Sequence, residues 1–148
     1  MNNNSNKNYI KFWGVRGSNP TPDKNKMKYG GDTSCVEIRT KNNDLIILDM
    51  GTGLRNLGAR IMSDESYGNE INIFLSHYHW DHIMGFFYFA PLYDKKFTIN
   101  IHGYNAKTSI KTLKDYLINK NFWPVDEETY AAKINFIELP KTGNEETL

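Results

Sequence analysis

Apolar residues fall along this chain in short runs separated by Gly, Asn, Asp and Lys. Tyr9 to Val15, Val36 to Thr40 and Leu45 to Leu48 are bounded by turn-forming residues, and each is predicted to be a strand. Lys41-Asn-Asn-Asp44, between the last two, reads as a hairpin turn. After Asp49-Met-Gly-Thr-Gly53 the period changes. Leu54, Leu57, Ile61 and Met62 recur at helical spacing, and the glycine pair permits a tight strand-to-helix turn. Ile71 to Leu75 is a continuous apolar strand. His82 to Ala90 is strongly apolar and stops before Pro91, which predicts a short buried helix. Phe97 to Ile101 alternates as a strand, and Ala106 to Asn119 puts Ile110, Leu113, Tyr116 and Leu117 on one helical face with lysines opposite. Ile134 to Leu139 closes the pattern as a strand. Strands alternating with helices predict an α/β layered domain, with helices covering a sheet.

Composition narrows the picture. At 148 residues the chain supports one core and is too short for two ordinary domains. Residues 1–8, rich in Asn, are predicted to be a disordered tail, leaving 9–148 as the domain, and the stretch 141–148 is polar and reads as unfinished. Eighteen basic against seventeen acidic side chains give a net charge of +1, so there is no global attraction for nucleic acid or an anionic membrane. The single cysteine, Cys35, cannot form an intramolecular disulfide, and the first residues lack the apolar run of a signal sequence or membrane span. Together these predict a cytoplasmic, reducing setting and no membrane partner.

The chemistry is concentrated in His77-Tyr-His-Trp-Asp-His82, which holds three of the four histidines directly after the Ile71 to Leu75 strand. In an extended segment His77 and His79 point to the same side and can share one cation through neutral nitrogens. Asp81 and His82 start the next helix, where they can turn towards a second. Solvated loop histidines are the alternative, but four ligand-type residues at this spacing seldom cluster without purpose. Two divalent ions about 3.5–4 Å apart can clamp a phosphoryl or carbonyl oxygen and activate water. Imidazole and carboxylate ligands admit zinc, the foremost expectation, and also manganese or iron.

The His-x-His-x-Asp-His pattern at positions 77 to 82 resembles the signature of the metallo-β-lactamase-fold superfamily. The similarity extends through Phe12-Trp-Gly-Val-Arg-Gly-Ser18, Tyr29-Gly-Gly-Asp-Thr-Ser-Cys35, Ile47-Leu-Asp-Met-Gly-Thr-Gly53 and Phe122-Trp-Pro-Val125. It is nearest the phosphodiesterase-like branch, which includes transfer-RNA 3′-processing ribonucleases and a cyclic-phosphate phosphodiesterase. The resemblance implies an αββα sandwich, of which this chain holds the amino-terminal αβ half plus adjoining elements. It implies that His77 and His79 ligate one metal and Asp81 and His82 a second. Asp81 and His79 would line the nucleophile, and Asp49 would hydrogen-bond to the histidine segment. Oxygen-reducing di-iron members usually carry Glu where His79 stands, which favours a hydrolase. A small-molecule or nucleotide phosphodiester is the expected substrate, with lactone, thioester or β-lactam hydrolysis, or a truncated non-catalytic domain, as alternatives. The family's remaining histidines and bridging aspartate belong to a second αβ half absent from these residues. A homo-oligomer or a missing second half is therefore the expected partner, and an exposed apolar edge should drive association.

Other polar residues have plainer readings. Asp49 could instead cap the helix beginning near Leu54. Arg16, Ser18 and Thr33 could hold a phosphate oxygen, although ordinary loop solvation is favoured. Lys24, Lys26 and Lys28 read as a solvated face. His102 is predicted to be a hydrogen-bonded structural residue and not a ligand, and Phe86, Phe87, Tyr88 and Phe89 to be core and rim.

Overall fold

A computed structural model describes residues 8–104, 108–124 and 127–140. It contains one six-stranded mixed sheet in sequential order. Strands β1 (Tyr9–Gly14), β2 (Cys35–Arg39) and β3 (Leu45–Leu48) pair antiparallel, and β3 then runs parallel to β4 (Glu70–Leu75), β5 (Thr98–Gly103) and β6 (Lys133–Glu138). Parallel neighbours need crossovers that carry their own structure. These are α1 (Gly53–Met62), the segment starting with α2 (Trp80–Ile83), and α3 (Ile110–Leu117).

The crossovers cover one face of the sheet. Ile47, Ile71, Ile73, Ile99 and Ile101 point into that layer and are essentially inaccessible, as are Leu54 and Leu57 of α1 and Phe86, Phe89 and Leu92 beyond α2. Among the described residues the opposite face has no such cover. Across it runs a row in register, Phe12, Val36, Leu48, Phe74, His102 and Ile137, in which Phe12 is 66% exposed. The next row begins with Ile10, Ile38 and Ile46 and ends in an amide ladder. Asn135 Nδ2 donates to Asn100 Oδ1 at 2.8 Å, and Asn100 Nδ2 to Asn72 Oδ1 at 3.1 Å.

Most predicted elements are present within a residue or two, and the Lys41 to Asp44 turn is closed by Thr40 and Asp44. The helix expected over His82 to Ala90 is not continuous. After α2 the chain breaks into 3₁₀ turns at Phe86–Tyr88 and Ala90–Tyr93, with Pro91 inside the second turn and not beyond the end of a helix. The cause is Gly85, whose amide donates to Met50 O at 2.9 Å and whose Cα lies so close to the preceding glycine turn that a Cβ would meet Gly51 O at 1.9 Å. Gly85 keeps α-region dihedrals, at φ −76° and ψ −12°, but with its amide turned to Met50 the helical hydrogen-bond ladder is interrupted, and the chain leaves the α region at Phe89, at φ −82° and ψ 98°.

The predicted helix over Ala106 to Asn119 is α3 only, with Ser109 Oγ accepting the amide of Thr112 as N-cap; residues 105–107 lie outside the described region. Tyr116 does not share the buried face of Ile110, Leu113 and Leu117. It is 62% exposed and stacks on Phe122. Residues 1–7 and 141–148, expected to be tail and polar end, also lie outside the described residues, while Asn8 accepts the amide of Lys41 at 2.7 Å. Among the described residues no helix is long and apolar enough to cross a membrane.

Candidate metal centre

The histidine segment leaves the carboxyl end of β4, next to the carboxyl end of its parallel neighbour β3. Asp49 follows β3 directly in the left-handed region, at φ 60°, a conformation that Asp tolerates better than most residues. Its amide is fixed by Phe74 O at 2.9 Å. The bend turns a 6% exposed carboxylate into the space beneath the histidines. There Oδ1 accepts from the amide and hydroxyl of Ser76, both at 2.8 Å, and Oδ2 accepts from Ser34 Oγ at 3.1 Å and lies 2.8 Å from His82 Nδ1. Asp49 therefore serves the histidine segment. The start of α1 receives no side-chain cap.

His77 and His79 flank Tyr78, which points the opposite way and packs against Gly103, in keeping with the period of extended backbone. The His77 ring centroid is 4.5 Å from that of His79 and 4.1 Å from that of His82, so three imidazoles gather at one spot. Asp81 and His82 are set by backbone contacts between two loops. Met50 N donates to His82 O at 2.9 Å, and Gly51 sits where a Cβ would be 2.4 Å from Asp81 O. With His82 Nδ1 turned to Asp49, Nε2 lies 3.4 Å from Asp81 Oδ2. That is about the separation of two ligands on one tetrahedral zinc with bonds near 2.1 Å.

Electrostatics suit cation binding. Partial burial, helped by the neighbouring His82 and His79, holds His77 below the usual histidine range, which favours the neutral, ligating form. The Ser18 amide, 2.8 Å from Asp81 Oδ2, holds Asp81 below the usual carboxylate range. Ser18 thus reaches the site through its backbone. Thr33, expected to be solvated, is fully buried, and its hydroxyl and amide exchange hydrogen bonds with Thr52. Arg16 Nε is bound to Gly30 O at 2.8 Å. His102 lies within β5, stacked on Phe74 at 4.4 Å with Nε2 3.1 Å from Asn72 Oδ1, away from the cluster. Sequence reasoning missed Ser34 and Ser76 as partners of Asp49, because a hydroxyl next to a strand end carries no spacing signal.

The chemistry of the imidazole and carboxylate set, His77, His79, Asp81 and His82, suits divalent cations. Among the described residues, no group of three or more His, Cys, Asp or Glu is placed to hold a metal ion. Asp49→Asn tests the scaffold. It retains the left-handed backbone but sets an amide against donors, and is expected to weaken divalent-metal binding about 10- to 100-fold by calorimetric titration. A change within twofold would deny Asp49 this role.

Comparison with known proteins agrees with the geometry. A sequence model of the metallo-beta-lactamase superfamily matches residues 29–108, more than half of the chain, including the whole histidine segment. No curated protein matches the sequence. Among solved structures, a diphosphatase from the PhnP family superposes with a TM-score of 0.55 at 16% identity, over 90% of this chain and 51% of the other. The chain thus spans about half the length of that structure and shares its fold over that half. By this match and this partial sheet-and-helix architecture, the chain belongs to the metallo-beta-lactamase superfamily, whose members are generally hydrolases that typically bind divalent metals.

Proposed function

We propose that the chain is the metal-binding part of a hydrolase acting on phosphodiester bonds, with His77, His79, Asp81 and His82 as ligands. The observation that carries this reading is His82, held at Nδ1 by Asp49 and presenting Nε2 beside Asp81 in the same cluster as His77 and His79. When bound, a pair of divalent ions, zinc foremost, supplies Lewis acidity and positive charge for in-line attack of water on phosphorus. The chain's own residues do the rest. Asp81, kept ionised by the Ser18 amide, orients water through its carboxylate; His79, exposed at the mouth, lines the same side. The fold shared with a diphosphatase supports phosphorus as the reacting centre over the carbonyl of a lactone, thioester or β-lactam.

The test is turnover of an aryl phosphodiester by the full-length chain with zinc, manganese or iron, beside a chelator-treated control. Metal-dependent release of the aryl alcohol is the expected outcome. Turnover of lactones or thioesters without any phosphodiester cleavage would replace the reading, and no turnover of any substrate would leave a non-catalytic domain.

The open sheet face completes the proposal. Ile10, Phe12, Leu48 and Ile137 are too exposed for the surface of a finished layer, and a further αβ layer, from a longer chain or a second copy, would cover them and bring more ligands. The chain by itself is expected to associate through this face, and a strictly monomeric profile in size-exclusion chromatography with light scattering would contradict that.

A further inference from the structure

We propose that Ser76 is a positioning residue whose hydroxyl decides which nitrogen His77 offers to a cation; this rests on reading His77 as a ligand. Ser76 is the first residue after β4. Its Oγ lies 2.8 Å and 3.0 Å from the two oxygens of Asp49 and 3.0 Å from His77 Nδ1.

The hydrogen-bond directions follow from counting protons. A hydroxyl carries one, and a carboxylate only accepts, so the Ser76 proton goes to Asp49. Ser76 Oγ then has only lone pairs to turn towards His77, and Nδ1 must be the protonated nitrogen of that ring. This leaves Nε2 of His77 with its lone pair free. His82 reaches the same state by a shorter route, since its Nδ1 meets Asp49 Oδ2 directly at 2.8 Å, whereas its separation from Ser76 Oγ is 3.5 Å. Asp49 accepts two hydrogen bonds on each oxygen, from Ser76 N, Ser76 Oγ, Ser34 Oγ and His82 Nδ1. One buried carboxylate therefore orients two imidazoles, one directly and one relayed through Ser76, and each belongs to a different ligand pair. Orienting partners of this kind fix ring tautomer and raise ligand basicity.

The decisive measurement is a long-range proton–nitrogen correlation spectrum of the metal-free full chain labelled at histidine. In the wild type, His77 and His82 should both carry the proton on Nδ1. In Ser76→Ala, His82 should keep that state while His77 moves to the Nε2–H form that free histidine favours; Ser76→Thr, which retains the hydroxyl, should match the wild type. Zinc titration should show about tenfold weaker binding in Ser76→Ala and nearly full recovery in Ser76→Thr. An Nε2–H state of His77 in the wild type would overturn the proposal even if the alanine variant does not fold. So would an unchanged His77 in Ser76→Ala. Because the tautomers are read without metal, a wild type with the expected tautomers that takes up no zinc would sink the ligand reading alone and leave the relay standing.

Discussion

Replacing His77 and His79 together by alanine is expected to remove the bound divalent metal, measured as metal per chain by elemental analysis of protein purified without chelator. Structural zinc sites with four ligands bind with apparent free energies of about 10–16 kcal/mol, so two imidazoles carry several kcal/mol, and their loss should weaken binding by more than about 10³-fold. The second pair should not rescue the first. His82 packs its ring 4.1 Å from His77, and Asp81 and His82 alone supply two donors. The expected wild-type content is about two ions per chain, as two ligand pairs imply. Equal metal in wild type and double mutant would refute the assignment. Negligible metal in both would mean that these pairs hold a cation only when another αβ layer supplies the remaining ligands.

How much of this was legible in the sequence depends on whether the controlling contacts were local. Strand β3 could be read because its apolar run, Leu45 to Leu48, is bounded by turn-forming residues, and α1 because burial of every third to fourth residue leaves a helical trace in Leu54, Leu57 and Ile61. The histidine cluster was legible because its donors lie within six residues. The interruption after Ile83 was not, since it accompanies the loss of the Gly85 amide to the carbonyl of Met50, more than thirty positions earlier in the chain. Strand β2 was least legible in its facing. Alternation alone would put Val36 and Ile38 inside and Glu37 and Arg39 in water, but the structure turns Glu37 and Arg39 under the helices and leaves Val36 and Ile38 on the uncovered face. Local pattern gives the period of a strand. Which side is wet depends on what covers it.

That inversion makes Glu37 a polar residue whose replacement should cost as much stability as emptying a core position. Its carboxyl is fully buried and accepts from Tyr9 Oη at 2.8 Å, Trp13 Nε1 at 2.7 Å and Tyr67 Oη at 2.9 Å, tying β1, β2 and the 3₁₀ turn Glu65–Tyr67 together. Burial, reinforced by the bond to Glu37, raises both phenols above their ordinary range, so both remain protonated donors. Glu37→Leu would keep the volume apolar and strand three donors. A buried donor left unsatisfied costs about 1–3 kcal/mol. Tyr67, 7% exposed, bears that cost in full, while the partly buried Tyr9 and Trp13 recover some of it from water. The expected loss is roughly 3–5 kcal/mol, a large share of the 5–15 kcal/mol typical of a whole domain. Glu37→Gln keeps one accepting oxygen but turns an NH₂ group towards donors, so it should fall between the two. Urea unfolding at neutral pH, followed by tryptophan fluorescence, reads all three proteins. A Leu variant within about 1 kcal/mol of wild type would mean that the three donors find other partners and that the buried carboxyl does not hold this corner of the sheet together.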